Sequence, residues 1–448
     1  MRTEENAMGT ERVSRLILKT GIPLMLSLLI NSLYNFVDSV FVSQVAEDAL
    51  AALSLAAPVQ VLVSALGLGN AVGLNAAISR ALGERKPEEV RKTASAAIFL
   101  AFCAWILISL ACLLGVRSYF DWQSGGNETI AAYGRDYLSI CMLFSLGQMG
   151  QWVFDRFVIA SGKSGLFLFT LSAASITNLI LDPVFIFVFN MGTRGAAIAT
   201  VIGQFMGLFA GIAINRRYNR EIPFSFTLRP DFRSVATILR VGIPSTLVQV
   251  LTSFVTVIMN SVLLTFSSTA VALYGICARM MGLCTVGVHG INNGLIPIVA
   301  YNYGAGKPER IREAFRWAMI DSLIFYLPFL AVLLLAPTFV MGLFNASEYM
   351  NSIGIPAVRL MSLSWLLSIP GLVVAATLQG LSLPTPGMVL TMLRQAILPV
   401  LLALVLRTFG SLNLMWLSFV LAEGICIPLS LWMWKNSQGR LIVNQSEK

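Results

Sequence analysis

GERKPEEVRK at residues 83–92 returns as GAGKPERIRE at residues 304–313, with Gly, Lys, Pro, Glu and Arg in the same places. The offset is 221 residues, and Gly21-Ile22-Pro23 falls on Gly242-Ile243-Pro244 in the same register. Further along the offset shortens to 216, where ILDPV (180–184) meets ILPV (397–400) and Pro183 lies over Pro399. The chain is therefore a duplication. Between the repeated stretches it is apolar: 56% of the 448 residues are hydrophobic, 12% are charged and the mean hydropathy is +0.77. A soluble domain carries about 25% charged residues. Runs near the ~20 apolar residues needed to cross a bilayer recur along the whole length.

These runs predict twelve spans, near 21–45, 50–80, 94–116, 128–160, 166–190 and 195–214, then 237–266, 269–302, 313–336, 348–381, 386–408 and 412–434. The expected fold class is an all-α polytopic membrane protein with two six-helix lobes, residues 1–220 and 221–448. Six spans per repeat return the chain to the same side, so the lobes should share one orientation about a pseudo-two-fold axis along the membrane normal. The polar, basic stretch 215–234 is the expected linker.

The net charge of +9 orients the chain and does not mark a nucleic-acid binder. With a cytoplasmic N-terminus, 24 Lys and Arg fall on that side against four on the other (Arg117, Arg135, Arg194, Arg407). Basic residues accumulate on the cytoplasmic face, so both termini should be cytoplasmic. Residues 1–20 contain Glu4, Glu5 and Glu11 and lack a small-residue cleavage signature, which predicts no removable signal peptide. The six cysteines all fall in apolar spans without metal-ligand spacing and read as packing residues.

Two aspartates in the first repeat break the apolar pattern. A carboxylate near the bilayer centre costs roughly 2.5–3.5 kcal/mol on insertion scales and marks an ion or proton pathway. Asn31, Asn35 and Asp38 lie on one face of the first span, and Ser175, Asn178 and Asp182 on one face of the fifth. Thr200 and Gln204 sit one turn apart on the sixth. In hydrocarbon these groups must face one another or water, so they should enclose a polar pocket. Two carboxyls there cannot both ionise cheaply, and a proton or a small cation must compensate. Their oxygens suit Na⁺ as well as H⁺. Pro183 deletes a helix hydrogen bond beside Asp182 and should bend the span, and Pro23 should act likewise early in the first span. The second repeat lacks the acids: Asp38 maps to Met259, Asp182 to Leu398 and Asn178 to Arg394.

With these motifs, and with LIPIVAYNYGAGKPERI (295–311) and NLILDPVFIF (178–187) followed by GAAIAT (195–200), the chain resembles the multidrug and toxic compound extrusion (MATE) transporters over essentially its whole length. The resemblance implies a secondary-active exporter in the plasma membrane of a bacterium. It would act as a monomer without a cofactor, exchanging amphipathic, often cationic, small molecules for H⁺ or Na⁺. It also implies a cation or proton site formed by Asp38, Asn178, Asp182, Thr200 and Tyr137, with Na⁺ a candidate at the first four. Pro23 matches a proline whose bending would couple ion to drug. Two departures stand out: an asparagine expected on the inner fourth span falls near Trp152, and the seventh span has Gln249 where some relatives carry an acid. Export of one endogenous natural product is an alternative within this reading.

A rival of a different class is a flippase for a lipid-linked saccharide precursor, which would use the intramembrane cations Arg279, Arg359 and Arg394. His289, Met259, Arg279 and Arg394 are further candidates for cavity lining, although His289 reads first as a packing residue. Asp321 and Glu423 are the expected partners of the arginines, and Asp155 and Arg156 lie near the cytoplasmic end of the fourth span. The Gly67–Gly73 stretch has no preceding strand and reads as close helix packing. No Walker sequence is present, so ATP is not the expected energy source. The expected protein is a transporter and not an enzyme.

Overall fold

The computed structural model describes the backbone of residues 7–43, 47–124, 127–342 and 348–446. Outside the turns and the linker at 219–231 the described residues are helical: α1 Val13–Ser43, α2 Glu47–Gly83, α3 Pro87–Gln123, α4a Glu128–Leu143, α4b Leu146–Ala160, α5 Phe167–Pro183 and α6 Gly192–Tyr218. The second series is α7 Phe232–Leu264, α8a Ser268–Cys284, α8b Val286–Gly304, α9 Pro308–Leu335, α10 Glu348–Gly380, α11 from Pro384 to Leu406 and α12 Leu412–Ser446. Every one of the twelve expected spans has its helix or helix pair. Ten helices among the described residues are long and apolar enough to cross a membrane alone, and α8a and α8b, bent by 52°, make an eleventh. The span expected at 128–160 is divided at Phe144 and Ser145 into two short pieces, α4a and α4b. Leu114 is 83% exposed and Leu335 84%. Apolar surface of that kind suits hydrocarbon, where backbone groups must be satisfied within each helix.

The duplicated sequence folds into duplicated turns. Lys86 and Lys307 precede α3 and α9 with nearly the same backbone, φ −108°, ψ 82° and φ −109°, ψ 71°, and Pro at the first helical position. Before each lysine a left-handed residue, Arg85 (φ 56°) or Gly306 (φ 68°), ends the preceding helix. The Lys86 N–H reaches the Ala81 carbonyl at 3.1 Å, and the Lys307 N–H reaches that of Asn302 at 2.9 Å. This is a Schellman end, which satisfies carbonyls that the helix leaves open. The same device recurs after α4b, at Gly162 (φ 81°), and after α10, at Ser382 (φ 58°).

The chain forms two compact units. One contains residues 26–246, and the other residues 7–25 and 247–448. The leading part of α7 thus packs in the first unit and the leading part of α1 in the second. Glycines allow both. A Cβ at Gly242 would lie 2.6 Å from the Gly69 carbonyl oxygen, and Thr246 Oγ1 donates to the Ala65 carbonyl at 3.0 Å. In the second unit a Cβ at Gly21 would lie 3.2 Å from the Ile291 backbone, and one at Gly290 would lie 2.9 Å from the Gly21 carbonyl oxygen. Gly69 and Gly290 are 221 residues apart, as are Gly21 and Gly242. The glycine-rich Gly67–Gly73 and Gly287–Gly294 stretches therefore serve close backbone approach.

Candidate functional site

Asn178 and Asp182 lie one turn apart on α5 and project from the same face. Asn178 Nδ2 donates to Asp182 Oδ1 and to Thr200 Oγ1 on α6, each at 3.2 Å. The three side chains are 2%, 0% and 8% exposed. α6 approaches closely because Gly203 faces α5, where a Cβ would lie 2.7 Å from the Ala174 carbonyl oxygen. Both amide hydrogens of Asn178 are thus engaged, while its Oδ1 meets no donor among the described residues. An oriented carboxyl and an open amide oxygen are suited to hold a proton or a hard monovalent cation.

Asn178 and Thr200 face a cavity of about 300 Å³ inside the first unit. Asn31 of α1, Tyr137 of α4a, Ser175 of α5 and Gln204 of α6 share its wall. Asp182 stands behind this wall, reached through Asn178. Immediately after it, Pro183 ends the regular helix, and Val184–Val188 continues as a π turn. A proline and a π turn together are recognised causes of a helix bend. The side chains of Asp38 and Asn35, expected to complete the site from α1, lie outside the described residues.

Sequence reading missed part of the wall. Gln60 on α2 donates to the Tyr137 hydroxyl at 3.2 Å and lines the cavity. Its signal was an amide two residues after Pro58 in an otherwise apolar run. Trp152 lines the cavity and lies against Gly67, where a Cβ would collide with its ring. Gln148 and Gln151 flank it on the same wall, so amides are present around the position where an asparagine was expected.

The other candidates are elsewhere. Pro23 lies in the part of α1 that packs in the second unit. Met259 is fully buried in α7 and His289 half-buried in α8b. Arg394 sits in a second π turn, Leu393–Ile397, and is 2% exposed. Its Nη1 contacts Glu423 Oε1 at 2.9 Å and donates to the Ser368 carbonyl at 3.2 Å. Arg279 and Arg359 are exposed side chains, whereas Arg394 is buried. Arg359 Nε donates to the Leu334 carbonyl at 3.3 Å.

A family model described as MatE matches residues 23–184 and again 244–405. The starts of the two matches lie 221 residues apart, the offset of the internal repeat. The multidrug export protein MepA of Staphylococcus haemolyticus (strain JCSC1435) is 24% identical over 429 residues, covering 95% of this chain and 94% of that protein. MepA of Staphylococcus aureus (strain MSSA476) is 24% identical over 441 residues, covering 97% and 96%. A solved structure described as the outward-facing conformation of a multidrug resistance MATE family transporter of the MOP superfamily superposes with a TM-score of 0.90 at 24% identity, over 98% of this chain and 99% of that one. A MOP superfamily transporter from Pyrococcus furiosus, whose description notes a binding pocket of reverse polarity, superposes with a TM-score of 0.89 at 25% identity over the same shares.

Proposed function

The chain belongs to the MatE family, and from that membership we propose that it is a secondary-active multidrug exporter of the plasma membrane. It releases amphipathic, often cationic, small molecules in exchange for a coupling cation. The observation that carries this reading is the hydrogen-bonded group of Asn178, Asp182 and Thr200, of which Asn178 and Thr200 line a polar cavity within an apolar bundle. Such a group is costly in hydrocarbon and marks an ion or proton pathway.

We assign ion handling to the first repeat, residues 1–220. Asp182 and Asp38 carry the charge, Asn178 and Thr200 orient it, and Tyr137 supplies a hydroxyl to the same cavity. The coupling cation is a proton, because a proton shared by the carboxyl pair relieves their repulsion and needs only one acceptor, whereas a metal ion wants several ligands. The bend at Pro183 and the flexing of α1 at Pro23 transmit the change. Residues 221–448 complete the transporter as a monomer, with both termini in the cytoplasm. Of the three cations on which the flippase reading rests, Arg394 is paired with Glu423.

The test is efflux in membrane vesicles. Under an imposed pH gradient at negligible sodium, the wild type should export a cationic dye, and Asp182→Asn should fall to background while remaining folded in the membrane. Dye export at the wild-type rate by Asp182→Asn refutes the assignment. Export that requires a sodium gradient instead makes Na⁺ the coupling ion.

A further inference from the structure

Beyond the cavity lies a carboxyl that this coupling scheme leaves idle. Asp155 on α4b is 3% exposed, one helical turn past Gln151 of the cavity wall. Its Oδ1 lies 2.5 Å from Oγ1 of Thr170 on α5. The same hydroxyl lies 2.8 Å from the Phe167 carbonyl oxygen. A threonine hydroxyl has one hydrogen to give, and a carbonyl oxygen only accepts. For both contacts to be hydrogen bonds, Thr170 must donate to Phe167 and Asp155 must supply the hydrogen between itself and Thr170. Asp155 is then the neutral acid.

The surroundings agree. Oδ2 has no hydrogen-bond partner among the described residues. Gln151, one turn back on α4b, offers the carboxyl a side-chain hydrogen bond. An ionised carboxylate so poorly solvated costs far more than a neutral acid. Against this, among the described residues, acts the charge of Arg156, the next residue of α4b, which favours the carboxylate. From α6 comes Asn215, whose amide is engaged by the carbonyls of Phe154 and Gly211. From α2 comes Ser79, bonded to the Ala160 carbonyl.

We propose that Asp155 is a second proton-binding carboxyl of the first repeat, and that it relays protons between the cavity at Gln151 and the turn that joins α4b to α5. The proposal rests on the proton-coupled reading above. In the release step the Asp155 Oδ1–H bond breaks and the proton leaves on a water molecule at the turn. The Thr170 hydroxyl then rotates from the Phe167 carbonyl to donate to the carboxylate. A proton from cavity water restores the acid, and Thr170 returns to Phe167. The exchange is one proton in and one out, with no further reactant.

Infrared spectroscopy of the purified protein in lipid at neutral pH, together with vesicle efflux, tests this. The wild type should show a protonated-carboxyl band that Asp155→Asn removes. Thr170→Val should shift the band to higher frequency, because the acid loses its acceptor. Asp155→Asn should also lower proton-driven efflux by about tenfold or more, while equilibrium dye binding is retained. A band unaffected by both substitutions, or wild-type efflux from Asp155→Asn, overturns the proposal. Should the wild type fail to transport under a proton gradient, the coupling reading and the relay fail together, while the band separately decides whether Asp155 carries a proton.

Discussion

Arg394 and Glu423 place opposite charges 2.9 Å apart in the second unit, with Arg394 Nε and Nη2 and Glu423 Oε2 unpartnered among the described residues. Removing one member strands the other, at a cost of about 3–5 kcal/mol for buried pairs. Glu423→Ala should therefore lower the thermal unfolding midpoint in detergent sharply, and Glu423→Ala combined with Arg394→Met should recover most of the loss. An unchanged midpoint in the single variant would show that the pair is dispensable. Glu84, in the turn before α3, is a milder case. Burial raises its carboxyl pKa, but hydrogen bonds and charge from Lys86 and Arg80 outweigh that and hold it below the ordinary value. A carboxyl lowered in the folded state adds stability above its unfolded pKa and loses it as pH falls through the folded one. Glu84→Gln should thus be less stable than the wild type at neutral pH, with the gap closing below about pH 4. A gap independent of pH would contradict this. At this scale the sequence marked the candidate site by its expensive residues: Asn178, Asp182 and Thr200 were visible as polar interruptions at helical spacing. Gln60 and Gln151 were not, because an isolated amide shows no stripe until its neighbours are placed.

The four Schellman ends are built alike but not from the same residue. Gly306 and Gly162 adopt positive φ without a Cβ, whereas Arg85 and Ser382 carry the steric cost there. Ser382→Gly should therefore stabilise the protein by about 0.5–1 kcal/mol, the left-handed strain less the extra entropy of a free glycine. Gly162→Ser should destabilise it by a similar amount. Unfolding midpoints of the two variants read the signs directly, and a fall for Ser382→Gly would disprove the strain. Helix existence was legible throughout, since a backbone in hydrocarbon has almost no alternative to a helix. The division of the fourth span was not. Phe144 and Ser145 carry no Pro or Gly signal, and the break depends on how α4a and α4b pack.

For the whole molecule, the repeat was legible because its turns preserve Lys-Pro-Glu at one offset. The packing of residues 7–25 in the second unit and of the leading part of α7 in the first was not, because it depends on glycine contacts between distant helices. Cysteines replacing Lys86 and Lys307 should both react only with reagents that reach the cytoplasm, and one replacing Asn127 should react from outside. Labelling of the two lysine positions from opposite sides would rule out a parallel duplication. The placement of the half-helices also sets an order on synthesis. The first unit lacks one wall until residue 246 has left the ribosome, well after its own six spans are made. Residues 7–25 emerge first yet find Ile291 and Gly290 only when most of the chain exists. The first unit waits for a segment encoded beside the second, and the early segment that the second unit takes up waits for that unit, so neither reaches its final packing as a nascent chain of one repeat. Contacts closed over such long stretches form slowly, leaving early spans without their full set of neighbours during insertion.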